Sequence, residues 1–248
     1  MFEPLALLFL DRIPLKIGDR VLDVACGTGI VARLVAPVVA PVGGQGGRIT
    51  GVDISGEMLA VARSSTTASG AAIQWRLGDA ANLPVEDDAF DVVLCQQGFQ
   101  YFADQAAALS EMYRVLSTGG RLALCFARAV NADSQPYQWE KARALHLYAG
   151  HEAGRKAQQL APFFHGDANM ISKLITQAGF SNPKVENLTI KVQMGALDSF
   201  IHEEQFPDLA YDVQTAVVRH IQNAMKPYTN GRGVEIPYGM HIATAQKL

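Results

Sequence analysis

Between residues 20 and 126, short apolar runs alternate with stretches whose apolar residues recur at helical spacing. The runs are Val21-Leu22-Asp23-Val24-Ala25-Cys26, Arg48-Ile49-Thr50-Gly51-Val52-Asp53, Ala72 to Leu77, Phe90-Asp91-Val92-Val93-Leu94-Cys95 and Arg121 to Phe126. The first is an apolar run that stops at a glycine pair, the pattern of a buried parallel strand. The intervening helices run from about Gly29 to Pro37, from Ser55 to about Ser64, and from Asp104 through Ala106, Leu109, Met112, Tyr113 and Leu116. Ser55 and Asp104 are the predicted N-caps, and Gly119-Gly120 is the predicted stop of the third helix. A further apolar helix spans Met1 to about Arg12 and closes at Ile13-Pro14. Strands alternating with helices predict a parallel α/β sheet.

After residue 128 the rhythm changes. Residues 129–166 hold two helical stretches with clustered aromatics and histidines. Asp167 is the predicted cap of a helix with Met170, Ile171, Leu174 and Ile175 on one face, and Gly179 follows it. Lys184 to Val192 alternates as a half-exposed strand, about Ala196 to Met225 is helical with a break at Pro207, and Val234 to Lys247 is a closing strand. No repeat or interdomain linker interrupts the chain. The expectation is one domain over 1–248, with a core at 1–128, a helical cap at 129–166 and 195–230, and 167–194 and 231–248 completing the sheet.

Composition narrows the function. The 248 residues are 49% hydrophobic and 18% charged, with net charge −3 and no Lys/Arg cluster. Nucleic acid and anionic membrane surfaces are thereby disfavoured as partners. No apolar stretch is long enough to span a bilayer, and Glu3 stands where a leader peptide carries basic residues. Cys26, Cys95 and Cys125 are odd in number and lack a paired spacing. They read as buried small apolar residues of a cytoplasmic protein, and no metal site is expected. The glycine-rich stretch at 41–47 lacks the Lys-Ser/Thr ending of a phosphate-cradling loop and reads as a connection.

The chemistry concentrates where the first strand ends. Gly27 and Gly29 permit a sharp turn and close approach of a ligand to bare helix-start amides, with Thr28 as the expected N-cap. Gly27-x-Gly29-x-x-Ala32 satisfies the dinucleotide fingerprint, which alone does not separate a nicotinamide enzyme from another nucleoside binder. Asp23 helps to separate them: a carboxylate inside a buried strand needs a partner, and an amino group suits it better than a pyrophosphate.

Four elements then fall in one order: Val21-Leu22-Asp23-Val24-Ala25-Cys26-Gly27-Thr28-Gly29; Gly51-Val52-Asp53-Ile54-Ser55; Gly78-Asp79-Ala80 with Leu83-Pro84; and Phe90-Asp91-Val92-Val93 leading to Arg114-Val115-Leu116-Ser117-Thr118-Gly119-Gly120. Over about residues 20–126 the chain resembles the class I S-adenosylmethionine-dependent methyltransferases, in particular the small-molecule branch of ubiquinone/menaquinone biosynthesis. The resemblance implies a Rossmann-like, seven-stranded, mostly parallel sheet with a final antiparallel strand. Helices cover both faces, and the cap is inserted after the fifth strand.

It also implies roles. Asp53 accepts the ribose hydroxyls; Asp79 and the Ala80 amide meet adenine, with Gly78 before them; Ile54 and Met58 sandwich the ring; Asp23 faces the methionyl ammonium, with Ala25, Gly27 and Gly29 beside it; Gln96 and Gly98 lie under the methionyl part. The product is S-adenosyl-L-homocysteine. Phe99 and Tyr101 are expected to wall the acceptor, and Trp139, Tyr148, Phe163 and Phe164 to line or close an apolar cavity. Candidate bases are His146, His165 and His241, with His151 and His202 as lesser ones. The expected acceptor is flat, fairly apolar, and aromatic, polyketide-like or quinol-like, methylated at oxygen, carbon or nitrogen. Relatives carry a lid helix that has no counterpart ahead of Met1, so the expectation is that either the lid is missing or a partner subunit in a homodimer, or the cap, covers the site. A non-methylating S-adenosylmethionine-binding protein, cyclase-like or regulatory, is the alternative on the same fold; a nicotinamide oxidoreductase is disfavoured by Asp23 and Gly78-Asp79.

Overall fold

The computed structural model describes residues 2–41, 46–69, 72–160, 168–202 and 205–248. In chain order these form α1 (Phe2–Leu10), β1 (Arg20–Val24), α2 (Ile30–Val39), β2 (Arg48–Asp53), α3 (Gly56–Ser69), β3 (Ile73–Leu77), β4 (Phe90–Gln96), α4 (Gln105–Val115) and β5 (Leu116–Ala127). There follow α5 (Pro136–Ala149), α6 (His151–Leu160), α7 (Ala168–Gln177), β6 (Ser181–Gln193), α8 (Leu197–Phe200), α9 (Tyr211–Met225), β7 (Thr229–Asn230) and β8 (Gly233–Gln246). Most of the expected glycine-rich connection (residues 42–45) and the Asp167 cap lie outside the described residues.

The strands form one mixed sheet of eight, in the order β3-β2-β1-β4-β5-β8-β6, with β7 paired to β8. β1 pairs in parallel with β2 and β4, β2 with β3, and β4 with β5. Lys247 exchanges backbone bonds with Gly119 and Gly120, and the Arg128 N–H donates to Gly239 O, so β8 runs against β5. Val21, Leu22, Val24, Val92, Val93 and Leu94 are fully buried, as continuous apolar runs in a sheet covered on both faces should be. The closing β7–β8 hairpin makes the count one more than the sequence pattern predicts; two residues leave no periodicity to read.

The chain divides into two compact units. One holds Phe2–Phe126, Gly166–Asn187 and His241–Leu248 and carries β1 to β4. In it α1 packs on α2 and α2 on α3, while α4 packs with α7. Asp104 Oδ1 accepts the Ala107 N–H at 2.8 Å and caps α4 as predicted. Gly119-Gly120, in contrast, does not end α4. The helix stops at Val115, and the glycines sit in an excursion of β5 between Leu116, which pairs with Phe90, and Arg121, which pairs with Val92. Gly119 takes φ +78° there, and the excursion gains its bonds from Lys247 at the far end of the chain.

The other unit holds Ala127–His165 and Leu188–Met240. Its core joins Tyr137, Ala144 and Leu145 of α5 to Val217, Val218 and Ile221 of α9. The expected helical stretch from Ala196 resolves into the short α8 and, after the break, α9. Among the described residues no helix is long and apolar enough to cross a membrane.

Candidate active site

The site is assembled at the carboxyl ends of β1 to β4, within the first unit. β1 leads into a turn in which Ala25 (φ +55°), Gly27 (φ +55°) and Gly29 (φ +79°) are all left-handed. The Cys26 N–H donates to Val52 O at 3.1 Å and the Gly29 N–H to Cys26 O at 2.8 Å, which ties the turn to β2. Thr28 is not the cap of α2; Gly29 occupies that position, and no side chain caps from there. The cap comes from the strand instead. Asp23 Oδ2 accepts the Ala32 N–H, in the first turn of α2, at 3.1 Å. Asp23 is 1% exposed. Burial, reinforced by the nearby Asp53 carboxylate and opposed by the Ala32 N–H, pushes its carboxyl up to about 7.

Asp53 closes β2. Its Oδ2 accepts the Gly27 N–H at 2.7 Å and its Oδ1 the Ser55 N–H at 2.8 Å. A carboxylate has about four lone-pair sites, so capacity for two ligand hydroxyls remains. Ser55 Oγ in turn accepts the Met58 N–H at 3.2 Å and caps α3 as predicted. Asp79 is exposed and uses Oδ1 to accept the Ala81 N–H at 2.9 Å, and the buried Ala80 follows it. Ile54, Met58 and Leu77 are 73%, 47% and 61% exposed. Leu77 pairs with Asp53 in the sheet, so these apolar surfaces gather around the Asp53 carboxylate and suit a flat heterocycle. The sequence pattern places Leu77 at the end of its strand but gives it no site role, although an apolar residue directly before Gly78-Asp79 is its signal.

The glycines divide into two kinds. Gly27 meets nothing where a Cβ would stand, the open cradle a ligand needs. Gly29, Gly51, Gly78 and Gly98 are glycines because protein fills that space. A Cβ on Gly29 or Gly51 would lie 2.3 Å from the Trp75 ring, on Gly78 2.5 Å from Pro84, and on Gly98 2.5 Å from the Ala25 Cβ. For Gly29, Gly78 and Gly98, expected to face the cofactor, the structure gives a packing reason. Trp75 itself was missed, since nothing in its local sequence places it over two glycines of other elements.

β4 ends at Gln96, whose Nε2 is buried without a hydrogen-bond partner among the described residues. Phe99 to Tyr101 forms a 3-10 turn. Phe99 is a core ring at 1% exposure, against Phe102 at 5.9 Å and Phe126 at 5.2 Å, whereas Tyr101 is 63% exposed. The accessible aromatic surface of this segment is thus that of Tyr101. His241 is a core residue of β8, with Nδ1 2.7 Å from Asn187 Oδ1 and its ring against Phe126, which corrects its candidacy as a base.

Trp139, Tyr148 and His146 belong to the other unit. Trp139 is half-buried, Tyr148 exposed, and His146 lies exposed with its ring 5.0 Å from His151. That unit contains a cleft of about 460 Å³ lined in part by Glu140, Tyr148 and His220, with His220 Nε2 3.1 Å from Glu140 Oε2. His220 escaped the sequence reading because its partner lies 80 residues away. Phe163, Phe164 and His165 lie outside the described residues.

The arrangement fits S-adenosylmethionine. A buried carboxylate, a second carboxylate on the glycine turn, an open glycine, exposed apolar surface and an unpaired buried amide donor match an ammonium, a diol, a close backbone approach, an adenine and a carboxylate. Residues 22–124 match the Methyltransferase domain family. A demethylmenaquinone methyltransferase of Thermus thermophilus is 44% identical over 107 residues, 43% of this chain and 46% of that protein. The chain thus spans less than half the length of the first such relatives. A demethylmenaquinone methyltransferase of Symbiobacterium thermophilum is 32% identical over 206 residues, 75% of this chain and 79% of that one. The crystal structure of the YcgJ protein from Bacillus subtilis superposes with a TM-score of 0.64 over 98% of both chains at 21% identity, a likeness of fold.

Proposed function

The chain belongs to the class I S-adenosylmethionine-dependent methyltransferases, and from that premise we propose that it methylates a small, fairly apolar, aromatic or quinol-like acceptor in the cytoplasm. The observation that carries the reading is the carboxylate pair. Asp23 is fixed by the Ala32 amide in the first turn of α2, Asp53 by the Gly27 amide of the turn that precedes it, and Gly27 is bare where a Cβ would stand. Names of relatives that act on naphthoquinones, the exposed Tyr101 ring and the absence of a Lys/Arg cluster in the sequence support the acceptor class.

S-adenosylmethionine supplies a methyl group already activated on a sulfonium. The chain's residues do the positioning. Asp53 orients a diol through its remaining lone pairs while Gly27 and Ser55 hold the carboxylate still. Asp23 accepts the ammonium, and Gln96 Nε2 donates to the methionyl carboxylate. Ile54, Met58 and Leu77 grip the adenine, with Asp79 and the Ala80 amide at its edge. Tyr101 walls the acceptor. In-line displacement at carbon needs mainly proximity and exclusion of water, and these supply much of the rate.

Calorimetric titration with S-adenosylmethionine, S-adenosylhomocysteine and NADH tests the cofactor. Both sulfur ligands are expected to bind and NADH not, and Asp53→Ala should weaken both by at least about tenfold, the loss of hydrogen bonds to a charged group. Binding of NADH alone would reject the reading. Mass spectrometry of reduced 1,4-naphthoquinone incubated with the protein and S-adenosylmethionine then separates transfer from the non-methylating alternative, which predicts binding without a methylated product.

A further inference from the structure

Two of the motif segments in the sequence, Leu83-Pro84 and the one that opens at Arg114, have no role in the site as described, and the structure brings them together. The connection from β3 to β4, residues 78–89, begins at Gly78, Asp79 and Ala80 of the proposed cofactor site. It must pass two strands, because the sheet order is β3-β2-β1-β4. Such a crossover is usually a helix, which satisfies its own backbone. Among the described residues this one holds no helix, so its amides and carbonyls need partners from elsewhere. Side chains of α4 supply them. Glu111 Oε2 accepts the Leu83 N–H at 2.8 Å. Arg114 Nη2 donates to Leu83 O at 3.2 Å and Nη1 to Val85 O at 3.0 Å. The carbonyl between them, Pro84 O, accepts from Arg76 Nη1 at 2.8 Å.

The Arg114 guanidinium is fully committed. Arginine has five N–H donors. Here Nε and Nη2 fork onto the two oxygens of Glu111, each at 2.7 Å, and the rest go to Leu83 O, Val85 O and, at 2.6 Å, Asp87 Oδ1. The hydrogen bonds from Arg114 hold the Glu111 carboxyl below the usual carboxylate range, so the pair stays charged at neutral pH. It grips the chain on both sides of Pro84, whose ring packs on Gly78: a Cβ on that glycine would lie 2.5 Å from Pro84 Cδ. Between these two residues the Asn82 N–H closes a turn on Asp79 O at 3.0 Å, and Leu83 anchors in the core. Gly78 is tied to Asp53 O by its own N–H at 3.0 Å. With Pro84 held by α4, both ends of the turn that carries Asp79 and Ala80 are fixed.

We propose that Glu111 and Arg114 are positioning residues for the cofactor: they hold Pro84 against Gly78 and thereby set Asp79 and the Ala80 amide where these read the edge of adenine. This rests on the proposed S-adenosylmethionine reading and deepens it. Neither residue touches the ligand; both act through the turn. Lysine does not replace Arg114, because a point charge with three donors does not span the carboxylate and the two carbonyls that the planar fork reaches together. Glutamine at 111 keeps an oxygen for the Leu83 N–H but leaves the fork one acceptor short.

The test is calorimetric binding of S-adenosylhomocysteine and S-inosylhomocysteine to the full chain. The second ligand presents a carbonyl acceptor in place of adenine's amino donor. The wild type should prefer S-adenosylhomocysteine by at least about tenfold, the discrimination of one hydrogen bond to a charged group. Arg114→Lys and Glu111→Gln should each bring the two ligands within about threefold. Calorimetry reads the folded fraction as stoichiometry, and the ratio of affinities does not depend on it, so a merely structural role leaves the ratio unmoved. A wild-type ratio retained in both variants overturns the inference, as does equal binding of the two ligands by the wild type. In either case S-adenosylhomocysteine still binds, and the cofactor reading stands. Failure of the wild type to bind either ligand overturns that reading, and this inference with it.

Discussion

Asp23 is the residue on which the physical argument has most leverage, because it is a buried carboxylate with one amide partner and a second carboxylate nearby. In the folded chain its carboxyl is pushed up to about 7, above the value near 3.9 of an unfolded aspartate. Between those values the folded state therefore holds more protons than the unfolded state, and stability falls as pH rises from about 4 to about 7. Asparagine keeps an oxygen for the Ala32 N–H and removes the titration. Asp23→Asn is expected to be more stable than wild type at pH 8 by a few kcal/mol, at about 1.4 kcal/mol for each pH unit that separates the folded and unfolded values, and about equal at pH 3, below both values. Urea midpoints at both pH values check this, and equal midpoints at pH 8 would reject the buried proton. Affinity for S-adenosylhomocysteine moves the other way. The ammonium meets the ionised form, so wild-type affinity rises through pH 7 and that of Asp23→Asn stays flat. Asp23 and Asp53 were legible in the sequence because acids break apolar runs. The cap that Asp23 supplies to α2 in place of Thr28 was not, since it depends on where a side chain nine residues earlier arrives in space. The wall role first given to Phe99 met the same difficulty: spacing marks an aromatic segment but not which ring turns inward.

At the scale of elements, the alternation of strands and helices was legible and the reasons for the glycines were not. The register of β2 on β3 sets Gly51 opposite Trp75, and the indole reaches from there to Gly29 at the start of α2. Three elements around the site are thus keyed to one ring. Gly51→Ala would drive a methyl group into that ring and is expected to cost roughly 1–3 kcal/mol, the range for overpacking. In a Trp75→Leu background the same substitution should cost less than half as much, because the obstructing ring is gone. A double-mutant cycle on urea midpoints reads the coupling, and additive effects would show that the indole does not hold the turn. The Gly119-Gly120 excursion of β5 carries the same lesson. Its glycines looked like a helix stop because that is a local signal, while their bonds come from Lys247 at the other end of the chain.

For the whole molecule, the placement of the site has a consequence for how binding energy spreads. Asp23, Gly27, Asp53, Leu77, Asp79 and Gln96 all lie within Phe2–Phe126 of one unit. A ligand that binds only the intact site opposes each opening that breaks it by RT ln(1 + [L]/Kd), about 2.7 kcal/mol at a hundred times Kd. Amides that exchange with solvent only through such openings must slow by about 100-fold, and amides that exchange through openings elsewhere must not change. Hydrogen exchange with saturating S-adenosylhomocysteine is therefore expected to protect peptides over residues 20–33, 49–59, 73–82 and 92–101. The exposed alternating stretch of β6 over 181–187 exchanges by local fraying and should be unmoved. Uniform protection along the chain would mean that every amide exchanges through global unfolding. Protection absent from Ala25 to Ala32 but present elsewhere would place the ligand away from the glycine turn and refute the site.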